Sequence, residues 1–398
     1  MQSFFENKMR KRGFLWLLAL ICLVLLAVGA PAHAQAVPKY RVDVTWPKPL
    51  PNNWIMSVPT GIFVDKQDHI WVIHRLQNLP ADDIGAAQNP PTQECCIPAP
   101  PVLVFDKDGN VIKSWGGPDS SKDWPRGEHG IFVDGDNNVW IGGANLPNFA
   151  NPQGLMPDRQ VLKFTNDGKQ LLEIGHPSRD PMNNADTSIL GAPAEIFVDD
   201  AAHEVYIADG YLNRRVVVYD SNTGAFKRGW GAYGIPLNQI DNGPRPMYEP
   251  PPAPPPKQFG ALNYPVRAGV VIGIDVSKDG LVYVSDRGGD RVQIFTKDGK
   301  YVKEFIILPQ TIGQYGSVWS TMFSRDPKQK YLYIADGENN QIHVLNREDG
   351  SLVTNIGFRS RGIGGFDGLE HMAMDSKGNI YTDEVPNNTR IQKFLPVK

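Results

Sequence analysis

One short phrase recurs six times along this chain, and that recurrence constrains the fold more than any other feature. It runs Gly61-Ile-Phe-Val-Asp65, Gly130-Ile-Phe-Val-Asp134, Glu195-Ile-Phe-Val-Asp199, Gly273-Ile-Asp-Val-Ser277, Ser320-Thr-Met-Phe-Ser324 and His371-Met-Ala-Met-Asp375. Each copy is followed by a short apolar segment carrying an aromatic residue: Trp71, Trp140, Tyr206, Tyr283, Tyr333 and Tyr381. A third apolar segment, a turn such as Lys107-Asp-Gly109 or Asn222-Thr-Gly224, and a fourth segment complete each of the first five units. Asp-Gly and Thr-Gly turns between alternating segments are hairpin signals. Six copies of a four-stranded antiparallel unit predict an all-β, six-bladed β-propeller. The near-continuous apolar first strand fits a position buried on both faces. With 39 glycines and 34 prolines in 398 residues, long helices are not expected.

The sixth unit stops at Ile391-Gln-Lys-Phe394 without a fourth strand. Tyr40-Arg-Val-Asp-Val-Thr-Trp46 resembles the fourth-strand segments that end in Trp115 and Trp230, so it is predicted to complete the last blade and close the ring. Closure removes the exposed sheet edge. Two segments break the repeat: residues 76–101, containing Cys95-Cys96, and residues 234–265, containing the proline run Pro250–Pro256. Insertions of this length serve as lids or partner surfaces, or as solvated ornament. Ahead of the propeller, residues 1–34 read as a secretory signal. Lys8, Arg10, Lys11 and Arg12 precede the apolar run Phe14–Ala30, and Ala32-His33-Ala34 forms a small-x-small cleavage site. An uncleaved anchor is the alternative. Residues 35–398 are then a periplasmic or secreted propeller with no membrane partner after cleavage. Forty Lys and Arg against 43 Asp and Glu, with no basic run, exclude nucleic acid as an expected partner. After cleavage only Cys95 and Cys96 remain, so no disulfide framework supports the fold. They form a loop staple or, alternatively, a redox pair.

In a propeller the residues at the start of each first strand meet around the central channel. Here they are Thr60, His129, Ala194, Ile272, Trp319 and Glu370, with His371 following. His129, Glu370 and His371 are candidate metal ligands, because imidazole and carboxylate are ordinary zinc donors. The competing reading makes His129 a hydrogen-bonded channel residue. Ala194 and Ile272 offer no ligating side chain. At the turn after the second strand, Asp209, Asp286 and Asp336 recur and are expected to cap the turn through backbone N–H groups. Beside them, Tyr211 and Arg287 occupy corresponding places, matched in blade one by His74-Arg75. A tyrosine with a lowered pKa is a general base, and arginines hold carboxylates in a fork. Otherwise these are rim residues engaged in ion pairs between blades.

Across residues 55–398 the sequence resembles the NHL-repeat propellers related to peptidyl-α-hydroxyglycine α-amidating lyase. The resemblance is carried by Ile207-Ala-Asp-Gly-Tyr-Leu-Asn-Arg-Arg-Val216, by Val284-Ser-Asp-Arg287 and by Arg291-Val-Gln-Ile-Phe295. It implies a lyase releasing a peptide amide and glyoxylate, with channel zinc on three histidines, a tyrosine base, two arginines and a supporting calcium. Arg75, Tyr211 and Arg287 match the polar trio, and His129 matches the first zinc histidine. Ile272 stands at the second histidine, Glu370 at the third, and His371 at a calcium-binding aspartate. The polar trio is therefore intact and the metal site altered. Two functions follow as expectations. One is a metal-assisted lyase or hydrolase acting on a small-molecule or peptide ligand at the channel. The other is a non-catalytic binding propeller that engages a protein through the proline-rich loop.

Overall fold

In the computed structural model, residues 37–144, 156–262, 270–311, 313–385 and 389–397 are described. Six four-stranded antiparallel sheets follow one another in chain order. Their first strands are Pro59–Val64, Glu128–Val133, Ile196–Asp199, Val271–Val276, Ser320–Phe323 and Leu369–Met374. The chain is a six-bladed β-propeller, as the repeat predicts. Lys39–Lys398 is one compact unit. The expected signal, residues 1–34, lies outside the described residues, as does the end of the second insertion (263–265). Among the described residues no helix is long and apolar enough to cross a membrane.

The recurring aspartate of the phrase does two jobs. Asp65 accepts the backbone N–H groups of Gln67 and His69, which fixes the turn to the second strand. Its other oxygen takes the indole N–H of Trp71 at 2.9 Å. Asp134 repeats this with Asn138 and Trp140, and Asp375 with Asn379 and the hydroxyl of Tyr381. The buried aromatic of the second strand thus has its one polar atom satisfied by the turn that introduces it.

Neighbouring blades lock through the end of the fourth strand. The Trp115 ring lies over Gly168, the turn glycine of the next blade, and Trp230 lies over Gly299. A Cβ on either glycine would meet the indole at 2.6 Å, and both glycines have φ of +87°, so the position excludes a side chain twice over. The ring closes as the sequence predicts. Tyr40–Val42 pairs with the last strand in the register Tyr40↔Pro396, Val42↔Phe394. Trp46 then fills the seam between blades six and one. Its centroid is 5.0 Å from Tyr381 and 5.8 Å from Phe105, and it sits over Gly109 as Trp115 sits over Gly168.

The insertions are more ordered than proline-rich loops require. Residues 76–101 contain two 3-10 segments, Leu76–Asn78 and Ala81–Ala87, and Ile97–Pro98 pairs in parallel with Trp54–Ile55. Cys95 and Cys96 are joined to each other. In the second insertion Met247 bridges to Leu262, closing a loop over the rim. A further irregular stretch, residues 176–195, was not expected from the repeat. It buries Asn184, Ile189 and Leu190 between blades two and three.

Candidate functional site

Antiparallel pairing puts the start of each first strand beside the end of the second, where the turn to the third strand begins. Ala194 and Ala208 are bonded in this way, and Pro59 faces His74. The two sets of sequence candidates therefore share one channel mouth. His129 Nε2 lies 2.8 Å from the Tyr211 hydroxyl and 3.4 Å from Glu370 Oε1. The His129 and His371 rings are 5.5 Å apart at 77°. Arg75 and Arg287 both act electrostatically on Tyr211, and Arg75 also bonds to its hydroxyl. All six candidates converge.

The bonding fixes several protonation states. His129 Nδ1 faces the Ala194 carbonyl at 3.1 Å, so it carries the proton and donates. Nε2 is then the acceptor for the Tyr211 O–H. Burial lowers the His129 pKa to about 4, keeping the ring neutral. Tyr211 differs from the expectation of a lowered pKa. Burial and then the Glu370 charge raise it, and the two arginines offset only part. A neutral phenol donating to a neutral imidazole is the resting state. His371 is the opposite case. Burial opposes its charge, but Asp383, Glu370 and Glu195 outweigh burial and raise its pKa to about 10. Its Nδ1 is 3.2 Å from Asp383 Oδ2, and its backbone N–H donates to the other oxygen of Asp383 at 2.6 Å.

Neither catalytic-candidate arginine makes an ion pair among the described residues, so the rim-pair reading does not describe them. Arg75 donates through Nε to the Glu128 carbonyl at 2.9 Å, leaving its terminal nitrogens toward the mouth. Arg287 stacks on Trp319 at 4.5 Å, with its Nε buried and without a partner. Of the three turn aspartates, Asp336 accepts from Asn339 N in its own turn, as predicted. Asp209 and Asp286 instead accept from Gly191 and Gly260 on neighbouring loops while pairing with Arg215 and Arg291. They tie insertions to the rim rather than cap turns.

Three contributors escape sequence reasoning. Arg245, in the second insertion, places Nη2 at 3.0–3.2 Å from the carbonyl oxygens of Gly210, Tyr211, Leu212 and Asn213, which share its two hydrogens, and donates from Nη1 to Gly260 at 2.9 Å. It holds the whole Tyr211 turn from behind, and nothing in a proline-rich loop signals it. Asp383, in a second strand, orients His371. Glu195 leads the third copy where most copies have glycine or serine, a visible oddity in an apolar strand. Its carboxyl accepts from Ile274 N at 2.9 Å.

No family model matches the chain. It is 24% identical over 381 residues to mouse NHL repeat-containing protein 3, covering 90% of this chain and 85% of that protein. The chain resembles the NHL-repeat proteins. It is also 24% identical over 373 residues to peptidyl-glycine alpha-amidating monooxygenase A of Xenopus laevis, covering 89% of this chain and 33% of that protein. The propeller thus spans about a third of that relative's length. Among solved structures, a streptogramin B lyase superimposes with a TM-score of 0.50 at 13% identity, covering 90% of this chain and 98% of that one. That likeness concerns the fold.

Proposed function

We propose that this propeller is a lyase that cleaves small N-acyl-α-hydroxyglycine anions at the Tyr211 mouth. The observation that carries the reading is the 2.8 Å Tyr211–His129 contact, flanked by two arginines with no ion-pair partner among the described residues. The resemblance to an amidating monooxygenase supports it. In the reaction the substrate carboxylate sits between Arg75 and Arg287. The phenol oxygen of Tyr211 takes the substrate hydroxyl proton as its own passes to His129 Nε2. The C–O bond becomes C=O, the C–N bond breaks, and the amide nitrogen takes up a proton. The products are an amide and glyoxylate.

The donor set fits a divalent metal such as zinc. One ligand atom each of Glu370, His371 and Asp383 lies within 4.8 Å of the others, a spacing that suits three ligands of one ion. Glu370 Oε2 and His371 Nε2 are buried without a hydrogen-bond partner among the described residues, as atoms awaiting an ion would be. Glu370, His371 and Asp383 would hold it, rather than the His129 of the sequence reading, whose Nε2 takes the Tyr211 proton, and when bound it would supply Lewis-acid polarisation of the hydroxyl oxygen. The calcium that the resemblance implies has no aspartate at His371, and an imidazole is not the oxygen donor that calcium takes.

The test is glyoxylate release from N-benzoyl-α-hydroxyglycine by the purified chain, with its metal content measured. Release that Tyr211→Phe and His129→Ala abolish supports the reading. No release from metal-replete protein overturns it. A second reading, a non-catalytic binding propeller, is favoured by Ile272 at a ligand position and by the raised Tyr211 pKa. It expects tight binding of the same anion without turnover. Export rests on residues 1–34. N-terminal sequencing of secreted protein should begin at Gln35, and retention of Met1 would indicate the uncleaved anchor.

A further inference from the structure

The opposite mouth of the channel is a separate cavity of about 240 Å³. Its lining follows from the repeat. The third residue of each copy lies near the turn to the second strand, at the far end from Tyr211. In order round the ring these residues are Phe63, Phe132, Phe197, Asp275, Met322 and Ala373, and all line the cavity. Five are apolar and one is a carboxylate.

The three phenylalanines form a continuous arc. Phe63 and Phe132 are 4.5 Å apart by centroid, and Phe132 and Phe197 are 5.3 Å apart. Each is only partly buried, so ring surface faces the cavity. Across from the arc, Asp275 Oδ2 accepts the Thr321 hydroxyl at 3.1 Å, and Glu195 stands one step deeper. Burial, and then the charge of Glu195, raise the Asp275 pKa well above the ordinary carboxylate range, so the acid holds a proton that a bound cation would displace to solvent. Two rim cations, Lys278 and Arg325, are solvent-exposed. The Arg325 guanidinium is bonded to the Met374 carbonyl, and its charge is the least of the influences on Asp275. Neither forms a salt bridge with either acid among the described residues.

A carboxyl pair without a bonded cation, opposite an arc of aromatic faces, presents the two halves of an ammonium site. The carboxylate takes the N–H donors, and the ring quadrupoles favour the positive charge and the apolar body beside it. We propose that this mouth binds a small organic ammonium carrying an aromatic or branched apolar group, with Asp275 as the anion and Phe63, Phe132 and Phe197 as the wall. Asp275, Phe63, Phe132 and Phe197 take no part in the Tyr211 site, so the proposal stands apart from that reading; Glu195, which also acts on His371, borders both mouths.

Calorimetric titration of the full chain with 2-phenylethylamine tests it, against the neutral 2-phenylethanol and the anionic 3-phenylpropionate. Saturable binding of the amine is expected, at least about tenfold tighter than the alcohol, with no binding of the anion. Asp275→Asn should weaken the amine by about tenfold or more. Phe132→Leu should weaken it roughly three- to tenfold, and Tyr211→Phe should leave it unchanged. Equal affinity for amine and alcohol on the unmodified chain, or no saturable binding of the amine, overturns the proposal whether or not the Asp275 variant folds. So does an Asp275→Asn protein with a native circular dichroism spectrum and unchanged amine affinity.

Discussion

Replacing Trp46 with alanine tests ring closure quantitatively. Trp46 belongs to the segment that completes blade six from the other end of the chain, and it is 5% exposed. Emptying a site of this kind costs about 3–5 kcal/mol. The edge-on contact with Tyr381 is part of that sum, at about 0.5–1.5 kcal/mol. We take about 4 kcal/mol as the expected loss. Unfolding entropy is about 2.1 cal/mol/K per residue, so Lys39–Lys398, about 360 residues, gives about 0.75 kcal/mol/K. The predicted fall in Tm is then about 5 °C, read by differential scanning calorimetry. Val44→Ala, two residues away and 71% exposed, is the control and should leave Tm within about 1 °C. If Trp46→Ala behaves like the control, the N-terminal segment does not hold the seam.

Other outcomes follow from individual contacts. Arg245→Lys keeps the charge but cannot reach five carbonyls, so the Tyr211 turn loosens; turnover should fall about 10- to 100-fold with KM little changed. A wild-type rate would show that the turn holds itself. Glu204 is bonded by Arg228, Lys227 and Tyr206, and the Arg228 contact above all lowers its pKa from 4.5 to about 2. Its contribution to stability is complete above the ordinary carboxylate range and disappears as pH falls from 4.5 to about 2. Glu204→Gln should therefore lower Tm at pH 7 and match the parent near pH 2, and a constant gap between the two would refute this. Gly168→Ala puts a Cβ 2.6 Å from the Trp115 ring and should destabilise by about 1–3 kcal/mol in urea unfolding.

The sequence carries the ring because each blade repeats the same local chemistry. Asp65, Asp134 and Asp375 stand at the same offset from the aromatic they bond, and the strand pattern needs no long-range information. It carries the location of Arg75, His129, Tyr211, Arg287, Glu370 and His371 for the same reason, since equivalent repeat positions share a channel mouth. Charge states were not legible. The Tyr211 pKa depends on burial and on Glu370 from another blade, and the His371 pKa depends on Asp383 from the adjoining strand and on Glu195 from blade three. Arg245 escaped because its partners are backbone carbonyls, which leave no trace in side-chain identity. The irregular stretch 176–195 was hidden because no repeat spans it.

The convergence of four blades on one anion site is tested most directly by calorimetric titration with N-benzoylglycine, using Arg75→Met, Arg287→Met and the double variant. If both arginines grip the same carboxylate, each single change weakens binding about tenfold or more, and the double variant loses less than the sum of the two. Strictly additive losses, or one arginine whose removal changes nothing, would mean that the two guanidinium groups serve different places and that the mouth is not a single site.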